Sequence, residues 1–341
     1  MFRKLLLPFS FLYSIILRTR HYLYDNGIIN SKKFDMPVIV IGNLSLGGTG
    51  KTPHTIYIAE MLQKIYKVGV LSRGYGRISK GYFEVSVNSK TEICGDEPKL
   101  IKNNLQSTMV AVCEKRVVGI EKMVQSSNKL EVIILDDALQ HRALEPGFKI
   151  LLIDYSSLND FQVLLPAGNL RDNWSRRKNV EIVVITKCPE FIDVVSVKKK
   201  LQLNENQNVF FSTYNYKALI SINTVRVESF SFLKDKSITL ITGLAAPIQL
   251  VKDLNKMSKV VNHISFPDHY NYKISDIEKL RKEISTQNTD NVIVTTEKDA
   301  VKLRELLNEK EKSEWFYIKI EVVIDNSLLF EKLILEYVRK D

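Results

Sequence analysis

Val38-Ile39-Val40-Ile41-Gly42-Asn43-Leu44-Ser45-Leu46-Gly47-Gly48-Thr49-Gly50-Lys51-Thr52-Pro53 is the stretch on which the reading of this chain turns. A short β-branched run gives way to a glycine-rich turn that closes in Gly-Lys-Thr. An apolar-periodic segment follows from Thr52 through Ile56, Ala59, Met61, Leu62 and Ile65. Strand, glycine turn, Gly-Lys-Thr and helix together make the phosphate-binding loop of nucleoside triphosphatases. Gly47, Gly48 and Gly50 tolerate positive φ and let backbone amides close around phosphate oxygens. The helix N-terminus adds its orphan N–H groups. Lys51 is expected to reach the outer phosphates, the Thr52 hydroxyl to ligate Mg2+, and Pro53 to suit a first helical turn. The strict pattern G-x-x-x-x-G-K-[ST] asks for glycine at position 45, where this chain has Ser45.

Working outward, 341 residues suffice for two α/β domains with substantial cores. Hydrophobic content of 45% and charged content of 26% are those of a folded protein. Cys94, Cys113 and Cys188 are odd in number and widely spaced, which argues against a disulfide framework or a zinc site and fits a reducing cytosol. A net charge of +10 points to an anionic partner. In the first 33 residues Arg3, Lys4, Arg18, Arg20, Lys32 and Lys33 are opposed only by Asp25, and they bracket the apolar segment Leu5 to Leu17. That segment is shorter than the ~20 residues a spanning helix needs, and Pro8 interrupts it. Aromatics mixed with aliphatics between basic flanks suit a helix dipping into an anionic cytoplasmic leaflet, with a packed N-terminal helix as the alternative. No recognition motif for nucleic acid accompanies the charge, so none is expected as a partner.

Further strands are expected at Val68–Ser72, Tyr82–Val87, Met109–Cys113, Val132–Leu135, Lys149–Asp154 and Ile182–Thr186. The strand before Asp136-Asp137 carries acid at its carboxyl end, the Walker B arrangement that orients Mg2+. Gly95-Asp96-Glu97-Pro98 reads locally as a helix cap. Arg171 and Asp172, beside a Pro-Ala-Gly turn, look like parts of a site. Thr186-Lys187-Cys188-Pro189 lacks the carboxylate that guanine-specific GTPases use at the fourth position, so ATP is preferred. From about Ser221 the strand and helix pattern restarts, with strands at Ile238–Thr242, Lys259–Ile264, Val292–Thr295 and Trp315–Ile320 and a last helix from about Ser327 to Val338. The expectation is an α/β protein of two α/β/α units with mainly parallel sheets. Residues 1–30 would form a membrane-associated helix, 31–220 a phosphate-loop unit and 221–341 a smaller α/β unit.

Taken together, the ordered pieces resemble the tetraacyldisaccharide 4′-kinase (lipid A 4′-kinase) family. They are Gly42-Asn43 with Gly47 to Pro53, Ser72-Arg73-Gly74-Tyr75-Gly76, Gly95-Asp96-Glu97-Pro98, Asp136-Asp137 with Gln140-His141, Leu165-Pro166-Ala167-Gly168, Phe266-Pro267-Asp268-His269 and Thr296-Glu297-Lys298-Asp299-Ala300. The resemblance implies a membrane-associated bacterial kinase at the cytoplasmic face of the inner membrane. It would transfer the ATP γ-phosphoryl group to the 4′-hydroxyl of a tetraacylated glucosamine disaccharide 1-phosphate, acting as a monomer.

The same resemblance implies nucleotide on Asn43, Gly47, Gly48, Thr49, Gly50, Lys51 and Thr52. It also implies Mg2+ at Thr52, Asp136, Asp137 and Asp172, Arg171 against phosphate charge, and Asp96 acting with His269 in catalysis. Two departures stand out: the family often has glutamate where this chain has Asp172, and Gly-Phe where it has Ala138-Leu139. A soluble phosphate-loop ATPase acting as a switch or metallochaperone is the runner-up.

Overall fold

A computed structural model describes residues 2–340 apart from 128, 246, 259 and 286–290. The chain runs through α1 (Leu7–Asp25), β1 (Val38–Gly42), α2 (Lys51–Leu62), β2 (Val68–Ser72), β3 (Phe83–Val85), α3 (Thr91–Cys94) and α4 (Asp96–Asn104). Next come β4 (Met109–Val112), α5 (Arg116–Ser126), β5 (Val132–Asp136), β6 (Phe148–Asp154), β7 (Ile182–Thr186), α6 (Val194–Leu201) and β8 (Asn208–Ser221). The remainder is β9 (Val227–Glu228), β10 (Ser237–Thr242), α7 (Ile248–Met257), β11 (Val260–Ser265), α8 (Ile274–Ser285), β12 (Asn291–Thr296), α9 (Glu297–Leu303), α10 (Glu309–Glu314), β13 (Phe316–Ile324) and α11 (Ser327–Lys340).

Among the described residues thirteen strands join in one sheet, ordered β11-β10-β12-β13-β8-β7-β6-β1-β5-β2-β4-β3, with β9 on β8. Pairing is parallel within β10 to β12 and within β7 to β4, and antiparallel where β13 meets β8 and β3 meets β4. β1, β2, β5 and β7 are buried along their whole length. That is why they read as unbroken apolar runs: helices cover both faces of a parallel sheet. Alternate residues divide between the faces, Ile39 and Ile41 facing the layer of α2, α4 and α11, Val38 and Val40 facing that of α5.

β8 is the element the sequence pattern hid. Its first residues pair in parallel with β7 (Ile182 opposite Asn208), and Ser212 to Ser221 pair antiparallel with β13. One strand therefore joins the two halves of the sheet and ends at Ser221, where a restart of the pattern was expected. β13 likewise runs on to Ile324 instead of stopping near Ile320. α11 then returns to the first half: Phe330, Ile334 and Val338, spaced by four, enter the core of β1 and α2. Pro8 does not interrupt α1; it lies in the first turn, where no amide donor is missed. α1 buries Ser10, Leu17 and His21 and leaves Phe9, Phe11, Leu12 and Ile16 exposed. Among the described residues no helix is long and apolar enough to cross a membrane. Of the strand expected at Lys259–Ile264, Lys259 lies outside the described residues.

Phe330 is fully buried and packs edge-on to Phe210 at 5.2 Å. Phe330→Ala should cost about 3–5 kcal/mol in urea unfolding monitored by far-UV circular dichroism. A loss below about 1 kcal/mol would show that α11 is not part of the first core.

Candidate active site

β1 delivers the chain to the carboxyl edge of the parallel strands, where open α/β sheets form their ligand sites. Ser45 replaces the pattern's glycine without strain because it pairs as an isolated antiparallel bridge with Leu170. The left-handed conformations fall instead on Gly47 (φ 107°) and Gly50 (φ 85°). At Gly50 a Cβ would also run into the Tyr214 hydroxyl, so glycine is needed there twice over.

Three successive carbonyls of this loop are held by side chains of β7, of the residue after it and of α2. Lys187 Nζ donates to Gly48 O (2.5 Å) and pairs with Asp154 (2.8 Å). Thr186 Oγ1 donates to Thr49 O at 3.0 Å. His54 Nδ1 meets Gly50 O at 2.8 Å, and its Nε2 meets Ser212 Oγ at 2.9 Å. A carbonyl only accepts, so Nδ1 carries the proton and Nε2 accepts from the serine. Burial lowers the His54 pKa to about 4, which keeps the ring neutral. In a trans peptide the C=O and the following N–H point opposite ways. Fastening the Thr49 and Gly50 carbonyls therefore turns the Gly50 and Lys51 amides to the other side of the loop.

Beside those amides sit Asn43, Lys51, Asp137 and Arg171. Lys51 Nζ lies 3.4 Å from Asn43 Oδ1 and 3.7 Å from Asp137 Oδ2. Arg171 grips Asp137 through both NH groups and also reaches the side chain and carbonyl of Asn43. Burial would raise the Asp137 carboxyl, but the Arg171 hydrogen bond and the charges of Lys51 and Arg171 hold it below the usual range. Asn43 Nδ2 and Thr49 Oγ1 are buried with no hydrogen-bond partner among the described residues. Orphan polar atoms beside turned-out amides and two cations suit an oxygen-rich anion such as a triphosphate.

Asp136 is fully buried and accepts from Thr55 Oγ1 (3.2 Å) and Ser72 Oγ (3.3 Å). Burial, then the negative charges of Glu97 and Asp137, push its carboxyl up. Thr52 is buried in the first turn of α2. Among the described residues no three His, Cys, Asp or Glu side chains gather around a common point. Two carboxylates and a hydroxyl would suit a Mg2+ that draws its other ligands from phosphate and water. The Asp172 carboxylate is engaged elsewhere, with its Oδ1 bonded to His21 Nε2 and to the Asn173 amide, both at 2.7 Å.

A second cluster joins the halves of the sheet. Asp96 is the first residue of α4, after Gly95 (φ 92°), whose Cβ would press on Tyr75 O at 3.2 Å. Asp96 Oδ2 lies 3.1 Å from His269 Nδ1 and 3.0 Å from Lys302 Nζ. Lys298 Nζ approaches His269 Nε2 (3.2 Å) and Asp268 (3.1 Å), and the Tyr75 ring lies 5.2 Å from the imidazole. Burial alone would raise Asp96, but the His269 bond and the Lys302 and Lys298 charges hold it well below the usual carboxylate range. The bond to Asp96 in turn raises His269. Glu97, next in sequence, feels the charges of both Lys298 and Lys51, which puts this cluster beside the glycine loop.

Glu97, Lys187, Lys298 and Lys302 were not singled out as site residues from sequence. Lys298 and Lys302 stand four apart on α9, a spacing that puts both on one helix face, but nothing in the sequence says which carboxylate they meet.

His54 gives a pH signature. Its folded pKa of about 4 lies below the unfolded value, so the stability it contributes is present above about pH 6.5 and is lost as pH falls towards 4. The full loss is about 3 kcal/mol. Thermal melts at pH 7 and pH 5 should show a larger drop for the natural chain than for His54→Gln; equal drops would mean that the ring is not held neutral.

The sequence matches the family model described as tetraacyldisaccharide-1-P 4′-kinase over residues 2–339. The tetraacyldisaccharide 4′-kinase of Phocaeicola vulgatus is 39% identical across 99% of this chain and 96% of its own length. That of Flavobacterium johnsoniae is 36% identical, covering 99% and 98%. The crystal structure of Aquifex aeolicus LpxK in complex with ATP superposes with a TM-score of 0.80 at 33% identity, over 99% of this chain and 100% of that one. The glycine loop, the paired aspartates and the Asp96–His269 contact thus lie in a chain that belongs to the tetraacyldisaccharide-1-phosphate 4′-kinase family.

Proposed function

We propose that the protein transfers the γ-phosphoryl group of ATP to the 4′-hydroxyl of a tetraacylated glucosamine disaccharide 1-phosphate, the step that family membership assigns. The observation that carries the mechanism is the 3.1 Å contact between Asp96 and His269. It brings a loop of the second half against the first turn of α4, where the neighbouring Glu97 feels the charge of Lys51.

Asp96 accepts from Nδ1–H and fixes the imidazole tautomer, leaving Nε2 as the acceptor. Lys298 Nζ now donates to that nitrogen. An acceptor hydroxyl taking that place would give its proton to Nε2 as its oxygen becomes the nucleophile. Asp96 stays anionic and steadies the resulting imidazolium without itself taking the proton.

Asn43, Gly47, Gly48, Thr49, Gly50, Lys51 and Thr52 would hold the triphosphate, with Thr52, Asp136 and Asp137 around Mg2+. The metal would neutralise charge between the outer phosphates. Arg171, donating to Asp137 and Asn43, is placed to share that role. Residues 31–220 and 221–341 would act as two units joined through β8 and β13. Residues 1–30 would lie on an anionic inner-membrane surface at its cytoplasmic face. The exposed Phe9, Phe11, Leu12 and Ile16, flanked by Arg3, Lys4 and Arg18, support that seating.

The test is incubation with ATP, Mg2+ and the lipid disaccharide monophosphate, with mass spectrometry reporting one added phosphate. Asp96→Asn and His269→Ala should each slow turnover by about 10²–10⁴-fold while ATP affinity stays within about twofold. Natural rates in both variants would remove the pair from the mechanism.

A further inference from the structure

Among the expected metal ligands Asp172 is bonded to His21, and what it holds is the N-terminal helix. Asp172 and His21 are both buried, 2% and 5% exposed, and their 2.7 Å bond joins α1 to the segment that carries Arg171. His21 Nδ1 has no partner among the described residues, so Asp172 is the ring's polar tether there. The tether does not stand alone. Ser10 Oγ donates to Leu164 O (2.8 Å) and accepts from the Ala167 amide (2.9 Å), and the Tyr13 hydroxyl donates to Arg171 O (3.1 Å).

From its other side the same segment grips the glycine loop. Leu46 N donates to Asn169 O (2.7 Å), Arg171 N donates to Leu44 O (2.8 Å), and Ser45 bridges Leu170. Arg171 is thus held by its backbone between α1 and the loop, while its guanidinium spans Asn43 and Asp137.

We propose that His21 and Asp172 form a latch that positions Arg171. Through it the N-terminal helix is a structural part of the nucleotide site as well as a lipid-facing element. Both are positioning residues: neither touches the substrate, and both act through the 164–173 segment. The inference rests on the nucleotide reading of the glycine loop.

The test uses the full chain and a fluorescent ATP analogue titrated with Mg2+ present, with recovery on anionic vesicles as the control for α1. His21→Ala and Asp172→Ala should each weaken the analogue by about tenfold. The double variant should be no weaker than either single one, because both break the same bond. His21→Gln, whose amide can still donate to Asp172, should recover most of the affinity, and vesicle recovery should stay unchanged throughout. Tyr13→Phe removes only the hydroxyl on Arg171 O and should weaken the analogue two- to threefold.

His21→Ala binding like the natural chain overturns the latch. So does a raised Mg2+ requirement in Asp172→Ala that His21→Ala does not share, which would put the carboxylate at the metal. If His21→Ala fails to fold, natural affinity in Tyr13→Phe overturns the latch instead. A natural chain that binds no analogue at all overturns the nucleotide reading and the latch with it.

Discussion

A peptide carbonyl that accepts a hydrogen bond on one side of the chain commits the next amide to the other side. In the 48–51 loop that commitment is made repeatedly by side chains outside the loop: Lys187 on Gly48, Thr186 on Thr49 and, from the start of α2, His54 on Gly50. Each fastener is itself fixed, Lys187 by Asp154, His54 by Ser212, and Thr186 by its place at the end of β7. A glycine loop left to itself would sample many conformations, since glycine pays the largest entropy to be ordered. Here the ordering is supplied by α2 and by residues on and just after β6, β7 and β8, so the loop's amides are arranged before any ligand arrives. Preorganised donors are worth more than donors that must reorient at the moment of reaction.

The long strands β8 and β13 do for the two halves what those fasteners do for the loop. Because β8 pairs with β7 at one end and with β13 along the rest, the second half continues the first half's sheet. α11 then closes over the first core. The contact between Asp96 and His269 therefore joins elements that the backbone already holds in one frame. His269 sits in a left-handed conformation (φ 56°), which is uncommon outside glycine but which histidine adopts more readily than most side chains. The Asp299 carboxylate helps hold that neighbourhood, accepting from the Gly243 amide, the Tyr272 hydroxyl and the Thr296 hydroxyl.

Much of this was legible in the residues, and the reason is burial. Strands covered on both faces must be apolar throughout, so β2 and β7 could be read to their limits from 68–72 and 182–186. β8 escaped because half of it is not covered: Asn215 and Lys217 are exposed in a stretch whose aromatic and β-branched residues alternate with them. A strand that crosses from a buried sheet to a half-exposed ribbon has no single period to detect. The glycine loop and the paired aspartates were readable because their chemistry demands fixed local spacing. The fasteners were not, since Lys187 and Thr186 meet the loop, and Ser212 meets His54, only through tertiary structure. Asp172 is the instructive case: the family resemblance implied a metal there, and nothing in the sequence signalled the bond that the placement of His21 gives the carboxylate.

The electrostatics of the two clusters divide the labour between their acids. Asp96 is buried, yet His269, Lys302 and Lys298 surround it, so the carboxylate keeps its charge. Asp136 is buried, with the Thr55 and Ser72 hydroxyls donating to it, and burial with the like charges of Glu97 and Asp137 outweighs the charge of Lys51, so its carboxyl is pushed the other way. The same residue type is therefore held as a firm anion beside the imidazole and as a reluctant one beneath the glycine loop. A firm anion suits the fixing of a histidine tautomer, because it will not take the proton that the ring must keep. A reluctant one gains most from an approaching cation, which supplies the counter-charge that its hydroxyl partners cannot.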